Sequence, residues 1–126
     1  MATTTAEYEV EADPREERLY ITLTGRLSAD EIATAAERTE AAAERLDPGF
    51  DVVNDLRGFA PPSPDAAEPI KEAQAALVEG GVDRVVRIVD DDTSQVVVNA
   101  FARRSRDVGY EGMTADSVGE AERLLS

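Results

Sequence analysis

Hydrophobic and polar residues alternate along two segments near the beginning of the chain. Residues 8–12 place apolar side chains between glutamates, and residues 18–24 place leucine and isoleucine on one side, tyrosine and threonine on the other. A period of two residues is typical of a strand with one face in water. An Asp-Pro pair between the two segments favours a turn. The pattern therefore predicts two strands joined by a short connection.

Strand patterns and helical patterns follow one another along the rest of the chain. Three short segments have the composition of strands, and we predict these strands at about 50–56, 84–89 and 111–114. Four other segments repeat apolar or small residues at helical spacing, and a serine can cap the first turn of three of them. We predict these helices at about 28–46, 63–79, 94–108 and 117–125. Pro69 in the second predicts either a kink or a short turn followed by a helix from about Glu68.

The order of the predicted elements is β-β-α-β-α-β-α-β-α. Each of the three strand-helix-strand units requires parallel neighbouring strands with a right-handed connection. We therefore expect an α/β fold with a mixed five-stranded sheet flanked by about four helices. The chain of 126 residues has room for one domain, which we place at 1–126 with an ordered core at about 7–125.

The charge of the chain is strongly negative. Asp and Glu number 27 against 13 Lys and Arg, which gives a formal net charge of -14, and Lys71 is the only lysine. In dilute buffer such a surface repels itself, whereas at about 1 M salt the screening length falls to about 3 Å. Together with the abundant alanine, this composition predicts a protein of a halophile's cytoplasm that folds more firmly in molar KCl. An acidic protein from a low-salt cytoplasm is the alternative.

The missing residue types exclude most kinds of catalysis. The chain has no histidine and no cysteine, so zinc sites, thiolate nucleophiles and histidine-based triads are ruled out. It also lacks a P-loop and a Gly-rich dinucleotide motif. We expect no enzyme activity and no cofactor. The acidic surface disfavours nucleic acid, and the absence of a signal-peptide pattern and of a long apolar run predicts a cytoplasmic protein without membrane association.

Residues 55–59, Asp-Leu-Arg-Gly-Phe, follow the third predicted strand and precede a capped helix. This stretch and the order of the elements resemble STAS domains, and more closely the SpoIIAA-like branch that is related to STAS and CRAL-TRIO domains. The resemblance extends over roughly residues 7–125. It implies a noncatalytic domain that docks another protein, either a kinase or a regulatory factor.

The resemblance also implies a phosphorylation switch at the start of the second helix. Ser63 is the candidate, because a phosphate there meets exposed amides and the positive end of the helix dipole. An alignment without gaps places Pro64 on the phosphate acceptor, and only a shift of one residue makes Ser63 the switch. Ser63 as a plain helix cap is the alternative.

Several side chains near the Asp-Leu-Arg-Gly-Phe stretch and on the third helix are candidates for binding a partner or ligand. Phe59, beside two prolines, is either an exposed anchor or tucked under its own loop. The basic cluster at 103–106 can hold an anion or complement the helix dipole. The candidate binding residues are Asp55, Arg57, Phe59, Ile70, Arg103 and Arg104.

Two functional hypotheses follow. The first is a noncatalytic regulatory or scaffolding domain that docks a protein through the second helix and the preceding loop, with a homodimer as a further possibility. The second is a small-molecule binder, with an apolar ligand in a crevice at the carboxyl ends of the parallel strands. The run Asp90-Asp91-Asp92 lies at that edge, but three acidic residues before a helix also complement its dipole, so we predict no metal site.

Overall fold

The computed structural model describes residues 6–126 and contains the predicted order of strands and helices. An additional single turn of 3-10 helix precedes the second α-helix. The elements are β1 (Glu7–Asp13), β2 (Arg18–Thr24), α1 (Ala29–Ala43), β3 (Asp51–Asp55), the 3-10 turn (Asp65–Ala67), α2 (Glu68–Glu79), β4 (Val85–Ile88), α3 (Gln95–Val108), β5 (Met113–Ala115) and α4 (Val118–Leu125).

The five strands form one mixed sheet in the order β1-β2-β3-β4-β5. β1 and β2 pair antiparallel, and β2, β3, β4 and β5 pair parallel. The parallel pairs arise because a helix lies between each strand and the next, as the predicted crossovers require. The predicted α/β fold with a mixed five-stranded sheet and four helices is confirmed.

The helices cover the two faces of the sheet unequally. α1 packs on β1 and β2 and against α2, and α3 packs mainly against α2, so these three helices share one face. α4 alone lies on β3, β4 and β5 on the other face. The inner stripe predicted for α1 is buried, and its small residues let the helix lie close to the sheet. The buried residues of α1 are Ile32, Ala35, Ala36, Thr39, Ala42 and Ala43.

Serine side chains define the starts of three helices. The Ser28 hydroxyl accepts from the Glu31 amide at 3.1 Å, and the Glu31 carboxylate accepts from the Ser28 amide at 2.8 Å, which forms the predicted capping box. Ser117 Oγ accepts from the amide of Glu120 at 3.1 Å. Ser94 Oγ caps α3 by accepting from the Val96 amide at 3.1 Å.

Two helix boundaries differ in detail from the prediction. α1 ends at Ala43, three residues before the predicted end. Residue 47 precedes Pro48 and is disfavoured in the helical region, so the chain leaves the helix before it, although Leu46 stays buried. At the second helix the predicted short turn is confirmed, with α2 beginning at Glu68.

Within the described residues, no helix is long and apolar enough to cross a bilayer.

Candidate functional site

Asp55 and Arg57 form a closed pair at the carboxyl end of β3. Asp55 Oδ1 accepts from Arg57 Nε at 2.9 Å and from the Arg57 amide at 3.1 Å, and Asp55 Oδ2 accepts from Arg57 Nη2 at 2.7 Å. The hydrogen bond to Asp55 raises the pKa of Arg57 above its ordinary value. Two of the candidate binding residues are therefore engaged with each other, and they shape the turn that follows β3.

Thr93 joins the loop after β3 to the loop after β4. Its hydroxyl oxygen accepts from the amides of Gly58 at 3.1 Å and Asp90 at 3.2 Å, and it lies 3.1 Å from the Leu56 carbonyl. The left-handed φ of 68° at Gly58 allows its amide to turn toward Thr93. No local pattern predicts this link between the two loops, because Gly58 and Leu56 lie 35 and 37 positions before Thr93 along the chain.

Phe59 and Ile70 are buried. For Phe59 this selects the position under its own loop from the two alternatives, and for Ile70 it corrects the prediction of a side chain that binds a partner. Phe59 is 1% exposed and Ile70 is 5% exposed, and both belong to the main hydrophobic core. The Phe59 ring meets Phe101 edge to face, with 6.0 Å between ring centroids and 75° between planes. Burying a ring of this size removes a large apolar area from water, so Phe59 lies under its own loop instead of projecting from it.

An open groove lies between the loop after β3 and α3, at the carboxyl-end edge of the parallel strands. We call it the loop–helix groove, and its volume is about 450 Å³. The loop contributes prolines and alanine, and α3 contributes valines and an alanine, so most of the lining is apolar. The residues that line the groove are Phe59, Ala60, Pro61, Pro62, Ser63, Pro64, Ala67, Ser94, Val96, Val97, Ala100, Phe101, Arg103 and Arg104.

Arg103 and Arg104 give the loop–helix groove a positive charge. Among the described residues that line the groove, none is acidic, although the chain carries 27 acidic residues. The Arg104 guanidinium lies 5.5 Å from the centroid of the Phe101 ring. Burial, and then the charge of Arg103, lower the pKa of Arg104, while the negative charge of the nearby Glu68 opposes this shift. No described group accepts from Arg104 Nη1. At the rim, Val96 is 77% exposed, compared with 37% for Val118 and 41% for Leu124, the other exposed large apolar side chains of the described residues.

Ser63 is exposed and lines the same groove as the two arginines. Its hydroxyl oxygen accepts from the Ala66 amide at 3.2 Å and so caps the 3-10 turn before α2. The structure thus brings Ser63, Arg103 and Arg104 to one surface. Asp55 and Arg57 form their own pair in the neighbouring turn, and Ile70 lies in the core.

The other two candidate sites are small or already engaged. Asp90 Oδ1 accepts from the Asp92 amide and from the Thr93 hydroxyl, each at 3.1 Å. Across residues 6–126, no group of three or more acidic side chains is arranged to hold a metal ion. A void of about 30 Å³ lies inside the core between α1, α2 and the sheet. That volume suits about one water molecule, so it does not supply the enclosed cavity that an apolar ligand needs.

Comparisons with known proteins place the fold. No family model matches the chain, and no curated protein matches its sequence. Among solved structures, the chain is similar to the Bacillus cell fate determinant SpoIIAA in its phosphorylated form. The two share 14% sequence identity with a TM-score of 0.60, over 95% of this chain and all of the other. At this identity the likeness concerns the fold alone, and it confirms the SpoIIAA-like STAS fold that residues 55–59 and the order of the elements indicated.

Proposed function

We propose that this chain is a noncatalytic regulatory domain that binds another protein through the loop–helix groove. The observation that carries the proposal is an open, mostly apolar groove with two arginines and no acidic lining, next to an exposed valine. An apolar floor with a few cationic groups suits a protein segment that carries both apolar and acidic side chains. The sequence predicted a docking surface formed by α2 and the loop before it. The proposed surface keeps that loop, but its second side is formed by α3.

Charge complementarity supports an acidic partner segment. The chain as a whole has a net charge of -14, so its surface repels acidic molecules everywhere except where arginines gather. Arg104 Nη1 already lacks a protein acceptor, and arginine forms strong paired hydrogen bonds with carboxylates. An acidic side chain in the groove would neutralise a half-buried charge and gain those bonds.

Ser63 is the residue through which this binding would be regulated. A phosphate on Ser63 adds a charge of about -1.5 to -2 inside the groove, close to the surface that the two arginines form. The phosphate would compete with the carboxylates of the partner for the same cations, so phosphorylation would release an acidic partner. The similar protein SpoIIAA was solved in a phosphorylated form, which agrees with a switch of this kind.

The docking proposal is tested with charge and shape variants of the groove. A photo-crosslinking amino acid at Val96 captures the partner in lysate, and its attachment site is mapped by mass spectrometry. Arg104→Glu and Val96→Asp should lower the partner's affinity about tenfold or more, the size expected for losing a charged or apolar contact. Arg45→Glu is the matched control, since Arg45 is exposed and does not line the groove. Equal binding by all three variants, or crosslinking only to a second copy of this chain, would contradict the proposal.

The switch is tested by comparing Ser63→Asp with Ser63→Asn. Both side chains can cap the 3-10 turn, but only aspartate adds charge. We expect Ser63→Asp to weaken partner binding while Ser63→Asn leaves it near the native value. If both variants bind alike, and phosphorylated protein binds as well as unmodified protein, Ser63 is a cap and regulation lies elsewhere.

A small amphipathic ligand is the second candidate for the loop–helix groove. Its volume of about 450 Å³ is large enough for such a molecule, and an apolar floor beside two arginines would suit an acid with a hydrocarbon part. Native mass spectrometry of protein purified gently from its own cells separates the two functions. A stoichiometric metabolite, lost in Arg104→Glu but kept in Arg45→Glu, would favour the small ligand.

The surface charge supports a role in a high-salt cytoplasm. Acidic side chains repel one another less as salt screens them, so the free energy of unfolding should rise from low to molar KCl. Urea unfolding at several KCl concentrations, followed by far-ultraviolet circular dichroism, measures this directly. A free energy of unfolding that does not change with KCl would contradict the high-salt setting and leave the docking proposal intact.

A further inference from the structure

Arg87 is the most unusual charged residue of the described chain. It lies in β4 between Asn54 of β3 and Thr114 of β5, and it is only 4% exposed. Charged side chains are almost never buried this deeply without a partner of opposite charge. Among the described residues, however, no ion pair involves Arg87, and no group accepts from its Nε and Nη2 atoms.

Two other arginines of this chain show what Arg87 lacks. In Arg57 and in Arg84, the same two nitrogens, Nε and Nη2, donate two parallel hydrogen bonds to one carboxylate. Arg57 donates to Asp55, and Arg84 donates to Asp51. Both of those arginine side chains are about 40% exposed. Arg87 is better buried than either, yet among residues 6–126 it has no carboxylate partner, although the chain contains 27 acidic residues.

No carboxylate among the described residues pairs with the positive charge of Arg87. Val85, two residues before Arg87, packs into the core beneath α1 and α2, and side chains alternate along a strand, so Arg87 points to that same face. Its polar neighbour there is Tyr110, a neutral phenol with which it hydrogen-bonds. Burial lowers the pKa of Arg87, Tyr110 opposes this, and the charge of Arg106 lowers the pKa further. A second cation therefore lies near the first.

A small polar pocket of about 200 Å³ adjoins the Arg87 guanidinium. The pocket exists because α3 packs mainly on α2. A gap therefore remains above β4 and above the residues that lead into β5. Gly112 packs directly against the Arg87 guanidinium, and only a glycine allows this approach, because a Cβ at that position would lie 2.7 Å from the Arg87 Cζ. The Ser105 hydroxyl is already engaged, because it donates to the Ala102 carbonyl at 2.9 Å, and the cationic donors in the lining are Arg87 and Arg106. The pocket is lined by Arg87, Ala102, Ser105, Arg106, Glu111 and Gly112.

We propose that this pocket binds a small oxyanion, with Arg87 at its floor and Arg106 at its rim. An oxyanion, whether a free phosphate or a carboxylate group, would neutralise two neighbouring cations that form no ion pair among the described residues. Glu111, which also lines the pocket, weakens the site by repelling the anion. The site is separate from the loop–helix groove, so it does not depend on the proposed function.

The experiment observes the arginine side chains directly. Protein labelled with ¹⁵N is titrated with inorganic phosphate, and separately with acetate, at constant ionic strength, and the Nε–Hε resonances are followed by NMR. Arg87→Lys assigns the resonance of interest by its disappearance. We expect a saturable shift of the Arg87 signal with phosphate, with a midpoint below about 10 mM. A response to acetate as well would mean that the site takes carboxylates in addition to phosphate.

Variants of the two exposed rim residues locate the site without disturbing the fold. Arg106→Gln should raise the dissociation constant about fivefold, and Glu111→Gln should lower it about two- to fivefold, as expected for single charges near an ion. Arg45→Gln, which removes a charge elsewhere, should leave it unchanged. The proposal is overturned if the Arg87 signal shows no saturable shift up to about 50 mM phosphate, or if the shift is the same in both rim variants.

Discussion

Replacing Phe59 with alanine tests whether this side chain belongs to the core. Phe59 is 1% exposed, and its ring packs edge to face on Phe101. Truncating a buried phenylalanine to alanine lowers the free energy of unfolding by about 3–5 kcal/mol, of which about 1 kcal/mol comes from the aromatic pair. Because Phe59 also forms the floor of an open groove, water can enter part of the vacated space. We therefore expect a loss near the lower limit, about 3 kcal/mol.

Equilibrium unfolding in urea at fixed KCl, followed by circular dichroism, measures this loss. With a slope of about 2 kcal/mol per molar urea, a loss of 3 kcal/mol lowers the midpoint by about 1.5 M. Val96→Ala is the control, because a side chain that is 77% exposed should change the free energy of unfolding by less than about 0.5 kcal/mol. A loss below about 1 kcal/mol in Phe59→Ala would refute the buried position and restore Phe59 as a surface anchor.

Three further changes test local features of the fold. Asp51→Asn removes the charge that Arg84 clamps at 2.9 and 3.2 Å, and it should lower the free energy of unfolding in urea by about 1–2 kcal/mol. Gly81→Ala should lower the melting temperature more than Gly109→Ala: both have positive φ, but only the first methyl would meet a proline ring carbon at 2.8 Å. Equal effects would show that the close approach is relieved easily. Burial raises the pKa of Tyr110, so above about pH 10 the unfolded chain ionises first and the folded state loses stability. Tyr110→Phe should reduce this alkaline loss in pH-dependent unfolding, and an unchanged loss would assign it to other groups.

Local patterns predicted the elements of this fold well, because the signals lie within a few residues. The capping box of Ser28, the small-residue stripe of α1 and the glycine after α3 each depend on neighbours in the same turn or helix. The topology also followed, since a helix between two strands leaves one common way to connect them. The boundaries were less certain, as the early end of α1 shows.

The candidate site was predicted only in part, because its members come from distant parts of the chain. Ser63 and the arginines of α3 were each recognised as chemically useful, but not as lining one groove. Ile70 was predicted to bind a partner, and Phe59 was left between an exposed and a covered position, because an apolar side chain in a loop or helix gives no local sign of whether a neighbour covers it. Arg87 was not predicted as a site residue, because nothing within its own strand segment indicates deep burial. That burial depends on the pairing of β4 with β5.

By itself, the sequence determined the α/β class, the order of the elements, the acidic surface and the absence of histidine and cysteine chemistry. Periodicity, capping and composition are local or additive properties, which a single chain displays without folding. Only the tertiary structure decided that α3 lies across from the loop after β3, that the loop–helix groove contains two arginines, and that Arg87 is buried without a carboxylate. Those outcomes depend on packing between segments far apart in the chain, where burial and charge are set by neighbours that no local pattern reveals.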